Sequence, residues 1–132
     1  MNSDTELHFD TLAIHAGQAP DLTTGAVIPP IHLSSTFAQD GPGKHRGFEY
    51  SRTDNPTRRM LEHCLAALEA GTAAVAFASG SASSAALLET IQPGEHVISS
   101  DDVYGGTYRL MQRVVAPRGV QFTRVDMADL ET

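Results

Sequence analysis

The residues best able to do chemistry in this 132-residue chain stand where apolar runs give way to small hydroxyl residues and glycine. Ser79-Gly80-Ser81 follows the run Ala73-Ala-Val-Ala-Phe-Ala78 and opens a segment with helical spacing. A strand that passes into a helix collects free backbone N–H groups and the positive end of the helix dipole at one point, and glycine lets a ligand come close. A phosphate suits such a place, although helix capping alone also selects small residues there. Arg52 carries a planar guanidinium able to grip a phosphate through two parallel hydrogen bonds. In a chain of net charge −7, a dianion needs such local positive charge. The plainer reading is a surface arginine beside a helix start, yet a cation there is mildly unfavourable for the dipole. Tyr50 and Tyr104 can offer an aromatic face and a proton-moving phenol, or simply half-buried packing.

Other chemistries find less support. Neither a G-x-G-x-x-G dinucleotide loop nor a G-x-x-x-x-G-K-[ST] loop occurs, so a phosphate cofactor other than a nicotinamide or a nucleoside triphosphate is expected. His8, His15, His32, His45, His63 and His96 lack the paired or Cys-spaced arrangement of a metal site and are read as structural or solvated. Cys64, the only cysteine, falls on an apolar helix stripe, reads as a small buried hydrophobe rather than a nucleophile, and fits a reducing compartment.

The elements that must position these residues follow from periodicity. Residues 1–49, with Gly25-Ala-Val-Ile-Pro29-Pro30 and Gly41-Pro42-Gly43, predict an extended or irregular arm. Its apolar clusters, Val27-Ile28 and Ile31, need a surface to cover, on its own domain or on another subunit. Asn55-Pro56 predicts a helix start, Met60, Leu61, Cys64, Leu65 and Leu68 recur at helical spacing, and Gly71 stands where a C-terminal cap belongs. The run 73–78 predicts a strand buried on both faces. A second helix runs from Ser79 to Pro93-Gly94, a strand covers His96 to Ser99, and a third helix starts at Tyr104 with Leu110, Met111, Val114 and Val115 on one side. Pro117 to Gly119 stop that helix before a strand over Val120 to Val125. Alternating strands and helices predict the α/β class, with right-handed crossovers and a parallel-rich sheet flanked by helices. Asp129 to Thr132 look like the opening of another helix, so the expectation is a chain cut from a longer one.

A 41% hydrophobic share is that of an ordinary globular domain, and its core is expected mainly after Tyr50. The basic residues are scattered, which argues against nucleic acid. No apolar run approaches the roughly eighteen residues that cross a bilayer, which argues against a membrane span. Asp4, Glu6 and Asp10 precede the first basic residue, Lys44, so a positive leader segment is missing and the cytoplasm is expected.

Tyr50-Ser-Arg-Thr-Asp-Asn-Pro-Thr57 resembles the Y-S-R-x-x-N-P-T signature of the Cys/Met-metabolism family of pyridoxal 5′-phosphate (PLP) enzymes. Thr24-Gly-Ala-Val-Ile-Pro-Pro30, Leu33-Ser-Ser-Thr-Phe37, Phe77-Ala-Ser-Gly80 and Asp102-Val-Tyr-Gly-Gly-Thr107 resemble the same family in the same order. The resemblance covers nearly the whole chain, which would be about the first third of a member. It implies a fold type I, PLP-dependent transferase-like large domain starting at residue 50 and incomplete at 132, preceded by the 1–49 arm for subunit contacts. It also implies that Ser79, Gly80 and Ser81 hold the cofactor phosphate, that Tyr104 stacks on the pyridine ring and is catalytic, and that Tyr50 and Arg52 reach the phosphate from a neighbouring subunit. A homo-oligomer follows, a tetramer with shared active sites.

Within the family, Gly47-Phe-Glu-Tyr-Ser-Arg52 is most similar to the γ-lyases, which implies substrate contacts from Glu49, Arg52, Tyr104 and Arg109. The implied reaction is α,γ-elimination of cystathionine to cysteine, 2-oxobutanoate and ammonia. γ-Synthase, methionine γ-lyase and O-acylhomoserine sulfhydrylase share these motifs, and a non-catalytic subunit-assembly module is the alternative from another class. Ser81 departs from the Met or Leu common at its position. The family's cofactor-bearing lysine and its pyridine-pairing aspartate would lie beyond residue 132, so this chain alone is not expected to be catalytic.

Overall fold

The computed structural model describes residues 8–129. The expected helix opening at the end of the chain lies almost wholly outside them. The chain divides into two compact units, one ending at Ala76 and one beginning at Phe77.

The first unit opens with a short helix, α1 (Phe9–His15), where the reading of residues 1–49 predicts irregular chain. Seven residues are too few to hold a helix in water, so tertiary packing decides. α1 lies on α2 (Pro56–Leu68), with Cys64 Sγ 3.8–3.9 Å from the carbonyls of Ala13 and Leu12 and Ala16 buried. The following stretch keeps its irregular character, as predicted. At Asp21 the carboxylate accepts from the Thr24 hydroxyl and from the amides of Thr24 and Thr23, which holds it below the usual carboxylate range. Isolated antiparallel bridges join Thr36 to Tyr50 and Gln39 to His45.

α2 begins as the sequence predicts. Asn55 Oδ1 accepts from Thr57 N at 2.9 Å, and Pro56 occupies a position where a missing N–H costs nothing. The cap also holds the arm: Asn55 Nδ2 donates to His32 O and Ser51 Oγ, while Thr57 Oγ1 accepts from His32 N. Asn55→Ala is therefore expected to cost about 1–2 kcal/mol through the lost cap, read from denaturant unfolding, and to raise amide exchange at His32. The C-terminus differs from expectation. Ala70, not Gly71, takes the left-handed conformation (φ 50°), and the amides of Ala70 and Gly71 return to Ala67 O and Ala66 O in a Schellman closure. Gly71 falls one position too late to serve.

The run 73–78 is not a strand. It has no ladder partner among the described residues, and Val75 is 71% exposed rather than buried on both faces. The Ala76 amide ties it to α2 by donating to Glu62 Oε1 at 2.9 Å. Leu61 and Leu65, on the stripe that predicts a buried helix face, are likewise exposed, and Cys64 is only partly buried.

The second unit is a β-α-β arrangement. Ser79 caps α3 (Gly80–Leu88) by accepting from Ala82 N at 3.1 Å. β1 (His96–Ser100) pairs in parallel with β2 (Gln121–Val125), from His96↔Gln121 to Ser100↔Val125, as the alternation predicts. α4 (Gly105–Leu110) passes into a π-helical turn, Met111–Val115, and a 3₁₀ turn, Ala116–Arg118, before Gly119 at φ 95°. The wide turn changes which side chains face inward: Met111 and Val115 are buried, while Val114, expected beside them, is half exposed. Leu88, Met111, Val115 and Val120 form the core, with Ile91, Val97, Leu110 and Phe122 packed against it. That core falls after Tyr50, as composition and periodicity predict.

Candidate functional site

The predicted site residues fall into two groups, one in each unit. In the second unit, Ser79, Gly80 and Ser81 stand at the start of α3. The Ser79 hydroxyl is engaged in capping, and its carbonyl accepts from Ser83 N. The amides of Gly80 and Ser81 have no helical partner at this position, and among the described residues nothing else accepts from them. A side chain added at Gly80 would meet nothing within 4 Å, so the space beside Gly80 is open. Two free N–H groups, an exposed Ser81 hydroxyl and the helix dipole form a set matched to a phosphate.

Tyr104 precedes α4 and is 74% exposed, its ring presented rather than packed away. The glycine two positions on explains its placement, and inspection of motifs alone misses it. A Cβ at Gly106 would come within 2.3 Å of the Tyr104 ring. Only glycine leaves room for the ring to lie over the start of the helix. The signal in the sequence was a pair of glycines opening a helix, where they are otherwise unfavourable. Gly106→Ala is expected to displace the Tyr104 ring while adding up to about 1 kcal/mol of stability, effects that the ring's NMR resonances and a melting curve would read separately. Arg109, on the last turn of α4, is exposed and has no carboxylate partner among the described residues.

In the first unit, Glu49, Tyr50 and Arg52 lie on one loop. Glu49 is exposed, and its carbonyl accepts from Phe37 N. The Arg52 guanidinium carbon stands 5.1 Å from the centre of the Tyr50 ring, a cation–π contact, and no carboxylate pairs with Arg52 among the described residues. The neighbouring arginines are committed: Arg59 pairs with Asp54 and covers the Phe48 ring, and Arg58 pairs with Glu62. Arg52 is thus the cation of this loop left available for an anion. Lys44 lies on the exposed turn between Asp40 and His45. Among the described residues no cluster could hold a metal ion, and no helix is long and apolar enough to cross a membrane.

The parallel β-α-β unit makes this an α/β protein, and its likeness to solved PLP-dependent enzymes of sulfur amino-acid metabolism places it in the fold type I class. The chain belongs to the Cys/Met metabolism PLP-dependent enzyme family, whose sequence model matches residues 10–132. It is 58% identical over 123 residues to a probable cystathionine gamma-synthase from Herpetosiphon aurantiacus, covering 93% of this chain and 39% of that one. It is 53% identical over 129 residues to a cystathionine beta-lyase from Coxiella burnetii, covering 97% and 33%. The crystal structure of cystathionine gamma-lyase from Lactobacillus plantarum complexed with L-serine superposes with a TM-score of 0.81 at 46% identity, over 95% of this chain and 32% of that one. The chain spans about a third of the length of the relatives it matches. The family's cofactor is PLP, and the donors around Ser79 to Ser81, the exposed Tyr104 and the uncommitted Arg52 suit its phosphate and ring.

Proposed function

We propose that this chain works as part of a longer PLP enzyme that cleaves the γ C–S bond of cystathionine, releasing cysteine, 2-oxobutanoate and ammonia. The observation that carries the reading is the pair of unpartnered amides at Gly80 and Ser81, open to a phosphate, in a chain of this family. When bound, PLP supplies the electron sink for bond cleavage next to the substrate amino group. The chain's residues bind and orient. Gly80 N, Ser81 N and the Ser81 hydroxyl hold the phosphate, Tyr104 covers the ring and moves a proton through its phenol, and Arg52 and Tyr50 complete the phosphate site from a neighbouring subunit. Glu49 and Arg109 suit the two charges at the distal amino-acid end of the substrate. Residues 1–49 serve as the subunit-contact arm and residues 50–132 as the start of the cofactor domain, in a cytoplasmic homotetramer. The cofactor-bearing lysine lies outside this chain, since Lys44 is its only lysine and sits on an exposed turn.

The 58% identity to a γ-synthase favours a second reading, in which the same site joins cysteine to an activated homoserine at Cγ. Products separate the two. The whole polypeptide, loaded with PLP and given cystathionine, is expected to form 2-oxobutanoate; pyruvate would place cleavage at Cβ instead. Cystathionine formed from cysteine and an O-acylhomoserine, without measurable 2-oxobutanoate from cystathionine, would establish the synthase reading. The absorption spectrum comes first: a visible band in the whole protein, lost on borohydride and absent from the 132-residue chain, supports PLP and a lysine elsewhere. No band in either leaves a subunit-assembly module.

A further inference from the structure

We infer that Arg58 and Glu62 are positioning residues that hold Arg52 ready for the cofactor phosphate, an inference that rests on the reading of Arg52 as a phosphate ligand. Arg58 lies on the first turn of α2, six residues from Arg52, and each of its three guanidinium nitrogens has a partner. Nη1 donates to Ser51 O at 3.0 Å, Nη2 donates to Thr53 O at 2.7 Å, and Nε faces Glu62 Oε1 at 3.5 Å. Ser51 and Thr53 flank Arg52, so one planar group holds the carbonyls on both sides of it. The Ser51 carbonyl lies in the peptide plane that enters Arg52, the plane that leaves it is held by Thr53 N donating to Tyr50 O at 3.0 Å, and the Thr53 carbonyl is fixed just beyond, so the backbone around Arg52 and the direction of its side chain are set.

Glu62 extends the connection, because the same Oε1 that faces Arg58 accepts from the Ala76 amide at 2.9 Å. The loop at 51–53 and the stretch ending at Ala76 are thereby tied to adjacent turns of one helix. An ordinary i,i+4 pair on a helix surface contributes little and can let go. This one is mostly shielded, with the Arg58 and Glu62 side chains 31% and 17% exposed, and its charges are matched to backbone groups as well as to each other. Lysine cannot replace Arg58 here, since a compact, strongly hydrated ammonium does not span two carbonyls and a carboxylate in one plane.

The test uses the whole polypeptide and two ligands, PLP and pyridoxal, which lacks the phosphate. Binding is read from the visible band, with Arg52→Ala as reference and apo-protein melting recorded for every variant. Arg58→Lys is expected to weaken PLP by about 10-fold, leave pyridoxal unchanged, and add nothing when combined with Arg52→Ala. Glu62→Gln, which keeps an acceptor for Ala76 N, is expected to shift PLP affinity the same way by less, and it carries the test if Arg58→Lys does not fold. Equal loss of PLP and pyridoxal would reduce Arg58 to a structural role and overturn the inference, as would simple additivity with Arg52→Ala. A wild-type protein that binds no PLP, or an Arg52→Ala variant that still prefers PLP over pyridoxal as the wild type does, would instead remove the reading beneath it.

Discussion

Tyr104→Phe is expected to lower kcat by about 10²–10⁴-fold with little change in PLP affinity. The ring stands 74% exposed before α4, where it can lie over a planar cofactor, and phenylalanine keeps that face. Only the phenol is removed, so the loss belongs to proton transfer and not to binding. Loss of PLP binding in parallel with kcat would assign the hydroxyl to cofactor retention and contradict the proposed role. Tyr104→Ala, lacking both face and phenol, is expected to lose cofactor as well.

Gly17→Ala is expected to destabilise the first unit by about 2–5 kcal/mol, the sum of a left-handed conformation for a residue with a Cβ and a steric overlap. Gly17 has φ 72°, and a Cβ there would stand 2.7 Å from Met60 O and 2.8 Å from His63 Cβ. Both belong to the body of α2, so the clash cannot be relieved by swinging a flexible chain end. Chemical denaturation of the variant should show a lowered midpoint, and amides of α1 should exchange first, because α1 leads directly into this close passage and packs on α2 beside it. A midpoint within experimental scatter of wild type would mean that α1 contributes nothing to the unit.

Much of the second unit was legible in the sequence, because its cues are local. Ser79 followed by Gly80 marks a capped helix, Pro117 to Gly119 mark a stop, and short β-rich runs on either side mark parallel strands. Asn55-Pro56 was legible for the same reason. What periodicity could not supply was anything decided at a distance. α1 forms because α2 is there to receive it, and the run 73–78 stays single because a strand needs a neighbour to hydrogen-bond. Ala70 instead of Gly71 closes α2 because the helix ends at Leu68 with Glu69 as its cap, which puts the left-handed position one residue before the glycine. Of the candidate site, motif residues were named readily, whereas Arg58, Glu62 and Gly106 escaped notice because their role is to shape neighbours.

The arm and the Tyr50–Arg52 loop share their fastenings. The Phe37 amide donates to Glu49 O, the Ser51 amide donates to Ser35 O, the Ser51 hydroxyl donates to Ser34 O, and Asn55 and Thr57 hold His32 on either side. Residues 32–37 and 49–57 therefore behave as one stiff buckle rather than as a tail beside a loop. Whatever surface seats the arm also sets the angle of the loop, and a force that peels the arm away undoes the aromatic–cation pair at its far side.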